Sequence, residues 1–186
     1  MLQSEPSFFA LFKRGKYYLS RRAYADEDTE EVRHERKESE RFAVATVAFC
    51  LKHEEPFRNH FWNMVCGQPG DPELNADAQI KIEDDHWSDL KIVNGQCVCV
   101  VEFKIRAPLE NKQNPNEAEF RDPGGYGDKM RREKVSRYTI LGYRESLKLG
   151  ECREIKGITC RQCDWGGLID HFKYSRTEMI GDLIDC

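Results

Sequence analysis

The chain has 186 residues, a formal net charge of −4, 39% hydrophobic and 33% charged residues, the balance of a soluble globular domain with one sizeable core. The acidic total excludes a generically basic nucleic-acid binder, and no stretch approaches the roughly 20 apolar residues a membrane-spanning helix needs. Met1-Leu2-Gln3-Ser4-Glu5-Pro6 has neither a basic n-region nor an apolar h-region, so no signal peptide is read and the expected compartment is the cytoplasm.

Phe8 to Arg22 reads as a helix, with Phe8, Phe9, Leu11, Phe12 and Leu19 loosely on one side and Lys13, Arg14, Lys16, Arg21 and Arg22 making it basic. Asp26 to Glu40 is mostly acidic and suits the start of a helix, where the macrodipole favours negative charge. From Phe42 the pattern turns apolar through Val44, Val47 and Leu51, predicting a mostly buried helix that ends near Pro56. A further helix from Pro56 to Val65 turns Phe57, Phe61, Trp62 and Val65 inward; Gly67 to Asp77 is a Gly/Pro/Asp loop, and Ala78 to Asp84 a strand.

Trp87 to Ile105 is the most informative stretch. Two β-favouring runs are split by Asn94-Gly95, a strong hairpin signal because a type I′ turn needs φ > 0 at both central residues. That turn would set Val93 opposite Gln96, Asp89 opposite Val100 and Leu90 opposite Cys99. Side chains alternate along a strand, so Asp89, Val98, Val100, Glu102 and Lys104 share one face. Leu90, Ile92, Cys97, Cys99, Val101, Phe103 and Ile105 share the other, a core face. Under this register Asp89 and Glu102 are diagonal neighbours, about 7–8 Å apart at Cα, within reach of one shared divalent cation.

After Ile105 the chain loses periodicity as far as Asp128, and Gly124-Gly125-Tyr126-Gly127 lacks the Gly-Lys-Ser/Thr ending of a phosphate-binding loop. So long a loop beside the acids reads as a mobile substrate-side segment or hinge. Asp128 to Lys148 is predicted as a long helix, basic at Lys129, Arg131, Arg132, Lys134 and Arg137 and packed through Tyr138, Ile140, Leu141, Tyr143 and Leu147, with Gly150 ending it. A local basic cluster of this kind is what tracking a phosphate backbone needs. Glu154 to Cys160 reads as a last strand, and Asp164 to Phe172 as a turn and helix start.

The eight cysteines do not form a disulfide framework. Cys97, Cys99, Cys50 and Cys66 read as core thiols, whereas a zinc module would draw on Cys152, Cys160, Cys163 and Cys186, although Cys160-Arg161-Gln162-Cys163 has no second pair at zinc-ribbon spacing. His34, His53, His60, His86 and His171 show no metal-ligand spacing, and His86 alone lies near Asp89 in sequence.

Asp89 followed by Glu102-Phe103-Lys104 resembles the signature of the PD-(D/E)xK, or restriction-endonuclease-like, nucleases. Val101-Glu102-Phe103-Lys104-Ile105-Arg106-Ala107 and the upstream Glu40-Arg41-Phe42 resemble its prokaryotic defence-type branch, in which a Tyr-rich helix follows the central strand. One departure is that Ser88 stands where the family usually has Pro. The resemblance spans roughly Glu40 to Phe172. It implies an α/β (α+β) fold with a mixed central sheet of about four strands flanked by helices, in one domain over residues 1–186. Within that domain, 1–40 would be an N-terminal helical extension and 78–172 the catalytic core, the whole fitting an effector domain of a longer protein with a regulatory or sensor partner. The implied activity is a Mg²⁺-dependent DNA endonuclease (Mn²⁺ substituting) in antiviral defence, acting as a homodimer or larger oligomer and without membrane contact. Asp89 and Glu102 would be the metal ligands and Lys104 the catalytic cation that positions the attacking water and stabilises negative charge on the phosphate, with Glu40 a third acid and Gln113 site support. Lys129, Arg131, Arg132 and Lys134 would meet DNA. The alternative is a nuclease-like nucleic-acid-binding or protein-interaction domain without catalysis, since acid-x-Lys on a strand is also a common ion pair.

Overall fold

The computed structural model describes residues 43–67, 74, 78–82, 88–104, 109–142 and 153–170. The predicted basic and acidic segments from Phe8 to Glu40, His34, His86, Tyr143, Leu147, Gly150, Cys152, His171 and Cys186 lie outside them, as does most of the loop from Gly67 to Asp77.

Residues 43–53 form helix α1. Ala43, Val44, Val47, Cys50 and Leu51 fall on one stripe of it and are all buried, as a three-to-four-residue period requires. Helix α2 is Glu55–Phe61, with Pro56 in its first turn, where a missing N–H costs nothing. It continues as a π-helical turn, Trp62–Cys66. The carbonyls at that end have no partners along the helix and take them from the sheet. Cys163 Sγ donates to Met64 O at 3.4 Å, Thr139 Oγ1 to Val65 O at 2.7 Å and Arg137 Nη1 to Cys66 O at 3.0 Å, while Arg161 donates to Gly67 O.

The strands are β1 (Gln79–Ile82), β2 (Leu90–Asn94), β3 (Cys97–Lys104), β4 (Arg137–Gly142), β5 (Arg153–Ile155) and β6 (Ile158–Asp164). They form one mixed sheet of six strands in the order β1-β2-β3-β4-β6-β5, two more than the sequence suggests. β1, β2 and β3 are antiparallel; β3, β4 and β6 run parallel; β5 returns antiparallel to β6. Between β3 and β4 the chain crosses the sheet through a 3₁₀ turn, Asn111–Gln113, and helices α3 (Ala118–Arg121) and α4 (Tyr126–Arg132). Helix α5, Trp165–Asp170, follows β6.

Both faces of the sheet are covered. Leu90, Ile92, Cys99, Val101 and Phe103 pack with α1, α2, the π turn and Trp165 of α5. Val100, Tyr138, Ile140 and Ile158 pack on the other face with Phe120, Tyr126 and Met130 from α3 and α4. The architecture is therefore three layers, helix–sheet–helix.

Four expectations need correction. The hairpin loop is Gly95-Gln96 rather than Asn94-Gly95, because Asn94 pairs with Cys97 inside the ladder. Gly95 has φ +59, and neither Asn94 nor Gln96 has positive φ, as when a type II′ turn carries Gly at its first central position. Leu90 consequently faces Val101 and Lys91 faces Val100, a register displaced by two residues. An even displacement leaves every side chain on its expected face.

The long helix from Asp128 to Lys148 is instead α4 followed by β4. Lys134, at φ 57, takes the left-handed conformation that ends α4, and Tyr138 to Leu141 are buried on both faces, the pattern of an interior parallel strand. The supposed single strand from Glu154 to Cys160 is a hairpin turning at Lys156-Gly157. Finally, the segment before Asp128 is not a structureless hinge. Its glycines join α3 to α4, and a Cβ on Gly125 would lie 2.5 Å from Glu119 O.

Candidate active site

The site is built on the β2–β3 hairpin. The ladder ends at the Leu90–Val101 pair, and one residue beyond it Asp89 Oδ2 accepts the Phe103 N–H at 2.7 Å. Both acids therefore sit at the open end of the hairpin, Glu102 within β3 and Asp89 just before β2. Glu102 and Lys104, two residues apart on β3, project to that same face, where Lys104 Nζ lies 3.0 Å from Glu102 Oε1. Glu102 is 3% exposed and Lys104 6%.

The covering layer contributes Gln113. Its side-chain Oε1 accepts the Glu110 N–H at 3.3 Å, which turns Nε2 toward Glu102 Oε1, to which it donates. The Tyr138 hydroxyl donates to Gln113 O at 3.0 Å, and its ring stacks on Phe120 with centroids 5.6 Å apart. Tyr126, at the start of α4, is buried in the same cluster as Phe120 and Tyr138.

Electrostatics follow from this enclosure. Burial raises the Asp89 carboxyl above the usual range, opposed in part by the Phe103 N–H and by Lys104. Burial and the charge of Glu102 push the Tyr126 phenol up to about 12. Tyr138 is raised well above the ordinary phenol value by burial first and Glu102 second.

Asp89, Glu102, Lys104 and Gln113 are thus together, and Glu40 lies outside the described residues. Lys129, Arg131 and Arg132 are exposed on α4, with Lys134 exposed just past its end. Arg131 is engaged with Asp128 at 2.5 Å, and Arg132 Nε donates to Asp128 O at 3.4 Å. Arg137 is half-buried and structural, its guanidinium 5.9 Å over the Trp62 ring.

Tyr126 and Tyr138 are missed by the sequence reading. Tyr138 is hidden inside a mistaken helix, and Tyr126 among glycines that draw attention to the backbone. An aromatic residue between two glycines is the available signal.

The donor set suits a hard cation. Two carboxylates at one end of the hairpin, one with its ionised form disfavoured by burial, gain from a divalent ion, and Mg²⁺ is commonly held by one or two carboxylates with substrate phosphates completing its shell. Among the described residues no group of three or more His, Cys, Asp or Glu side chains converges to hold a metal. Of the four cysteines of the zinc reading, only Cys160 and Cys163 fall among the described residues. Cys160 and Cys163 are three apart on β6 and so face opposite sides, Cys160 packing with one core and Cys163 against the other. Among the described residues no helix is long and apolar enough to cross a membrane.

No family model matches the chain, nor does any curated protein or solved structure.

Proposed function

We propose that the chain is a Mg²⁺-dependent nuclease that hydrolyses phosphodiester bonds, with DNA as substrate. The observation carrying this reading is the convergence of Asp89, Glu102 and Lys104 on one sheet face, with Gln113 bound to the glutamate. The architecture supports it too: a mixed sheet flanked by helices is what the resemblance of the Asp89 and Glu102-Phe103-Lys104 motif implies.

Asp89 and Glu102 would hold the cation, which when bound neutralises phosphate charge and makes water more acidic. Lys104 supplies a fixed positive charge beside them. In a site shielded from solvent its ammonium stabilises negative charge developing on phosphate far better than it would in water. Gln113 keeps the Glu102 carboxylate oriented. Lys129 and Arg132 on α4 are the exposed cations proposed to meet the DNA backbone. The defence role and the oligomer rest on the sequence resemblance alone.

Plasmid DNA incubated with the protein and Mg²⁺ is the test. Cleavage is expected, lost on chelation and reduced at least about a hundredfold in Glu102→Gln and Lys104→Met, the scale on which charge-stabilising groups act. The burial of the Glu102–Lys104 pair favours a second reading, a catalytically silent nucleic-acid-binding domain in which the pair is structural. Tight DNA binding without cleavage under Mg²⁺ or Mn²⁺ would select it.

A further inference from the structure

We infer that Tyr138, on the strand next to β3, is a positioning residue for Glu102, acting through the main chain of Gln113; this rests on the nuclease reading of the same site. Three hydrogen bonds make the link. The Tyr138 hydroxyl donates to Gln113 O at 3.0 Å. The Gln113 side chain is turned by the Glu110 N–H, which donates to its Oε1 at 3.3 Å. Its Nε2 then donates to Glu102 Oε1.

The phenol is a rigid starting point. β4 lies inside the sheet, laddered to β3 on one side and to β6 on the other. Tyr138 pairs with Val100 and Ile140 with Glu102, so Tyr138 shares the face of Glu102, one pleat earlier along the strands. Its side chain is fully buried, and its ring is held against Phe120.

The turn that carries Gln113 needs such a point. A single 3₁₀ turn, Asn111–Gln113, closes few bonds of its own, and their geometry is poorer than in an α-helix. The Gln113 N–H reaches Glu110 O at 2.9 Å, which ties the residue to its own turn and not to the sheet. Leu109 rests on the apolar cluster beneath, but apolar contact has no direction. The Tyr138 bond has one: it fixes where the Gln113 carbonyl points relative to β4, and with it the line along which the amide approaches Glu102. That line matters because the last torsion of a glutamate is broad and shallow, and Lys104, 3.0 Å from the same oxygen, ends a flexible stem. Mg²⁺ demands well-placed oxygens, and outer hydrogen bonds to metal-ligating groups typically contribute about 10- to 100-fold in affinity or activity.

The experiment is calorimetric titration of Mn²⁺ alone into the full chain and into Tyr138→Phe, Gln113→Met, their double variant and Ile92→Val, with urea midpoints measured in parallel. Tyr138→Phe removes the hydroxyl and keeps the ring. Ile92→Val loosens the core on the opposite face and leaves the three bonds alone. Gln113→Met should weaken Mn²⁺ binding at least about tenfold and Tyr138→Phe about three- to tenfold, whereas Ile92→Val should lower the urea midpoint and leave Mn²⁺ binding unchanged. The double variant should bind no more weakly than Gln113→Met, because the hydroxyl reaches Glu102 only through the amide. Either single variant of the link binding Mn²⁺ as the unaltered chain does, an equal loss in Ile92→Val, or the two losses multiplying would overturn the inference while leaving the nuclease reading intact. An unaltered chain that takes up no Mn²⁺ overturns it as well, and the nuclease reading falls with it only if plasmid DNA is also left uncut.

Discussion

Lys104 and Glu102 meet at 3.0 Å with almost no solvent around either. Withdrawing two charges from water costs several kcal/mol for each ion, and a buried pair often gives no more net stability than apolar side chains of the same size. Fold stability alone is therefore a weak reason for two charges beside Val100 and Tyr138, and a role in chemistry is a stronger one. Gly125 is constrained in another way. Its φ of −70 is open to any residue, so backbone freedom is not the issue. Space is, since an added methyl group would meet Glu119 O at 2.5 Å and both Asp122 O and Phe120 O at 3.1 Å. Gly125→Ala is expected to lose about 1–3 kcal/mol by overpacking, read as a lower urea midpoint. An unchanged midpoint would mean that α3 and α4 separate easily.

At the level of elements, two short loops show what the chain disclosed and what it concealed. Asn94-Gly95 carries the residue pair a type I′ turn prefers, yet the loop there is Gly95-Gln96. Lys156-Gly157 carries a less favoured pair, yet both residues have positive φ, 54 and 80, as a type I′ turn requires. Lysine is a poor left-handed residue, and this is why the β5–β6 hairpin is hard to see in sequence. Asn tolerates that conformation, so Lys156→Asn is expected to raise stability by up to about 1 kcal/mol in urea unfolding. A fall would show that the bond from Lys156 Nζ to Arg121 O, 2.6 Å, outweighs the backbone term. Helices α1 and α2 and the first three strands are legible because their apolar periods are long or strictly alternating. β4 is not, since Tyr138, Ile140 and Leu141 satisfy a helical spacing as well as a strand buried on both faces. The shared face of Asp89, Glu102 and Lys104 is legible because alternation survives a two-residue slip. The contribution of Gln113 depends on how the segment between β3 and β4 folds back over the sheet, which no local pattern encodes.

For the molecule as a whole, the two cores set how it responds to alkali. Cys50 and Cys66 lie in the core beneath α1 and α2, and Tyr126 and Tyr138 in the core beneath α3 and α4. Burial first, then the charge of Glu54, pushes the Cys50 thiol from its ordinary 9.0 up to about 12. Cys66 is raised well above 9.0, chiefly by burial and further by the neighbouring Cys99 thiol. Tyr126 likewise rises to about 12. In each case the unfolded chain releases its proton at a lower pH than the folded one. Stability is therefore unaffected below about pH 9, falls as pH rises through the window between the unfolded and folded values, and loses no more from a given group above its folded value. Each group fully inside its window contributes a slope of about 1.4 kcal/mol per pH unit. Cys50→Ala removes one such group. Its unfolding free energy, followed in urea between pH 9 and 11, should fall less steeply than that of the unaltered chain by about that amount per unit, whatever the variant's stability at neutral pH. Parallel slopes would mean that the Cys50 thiol ionises as readily in the folded chain as in the unfolded one, and that the core around α1 admits water.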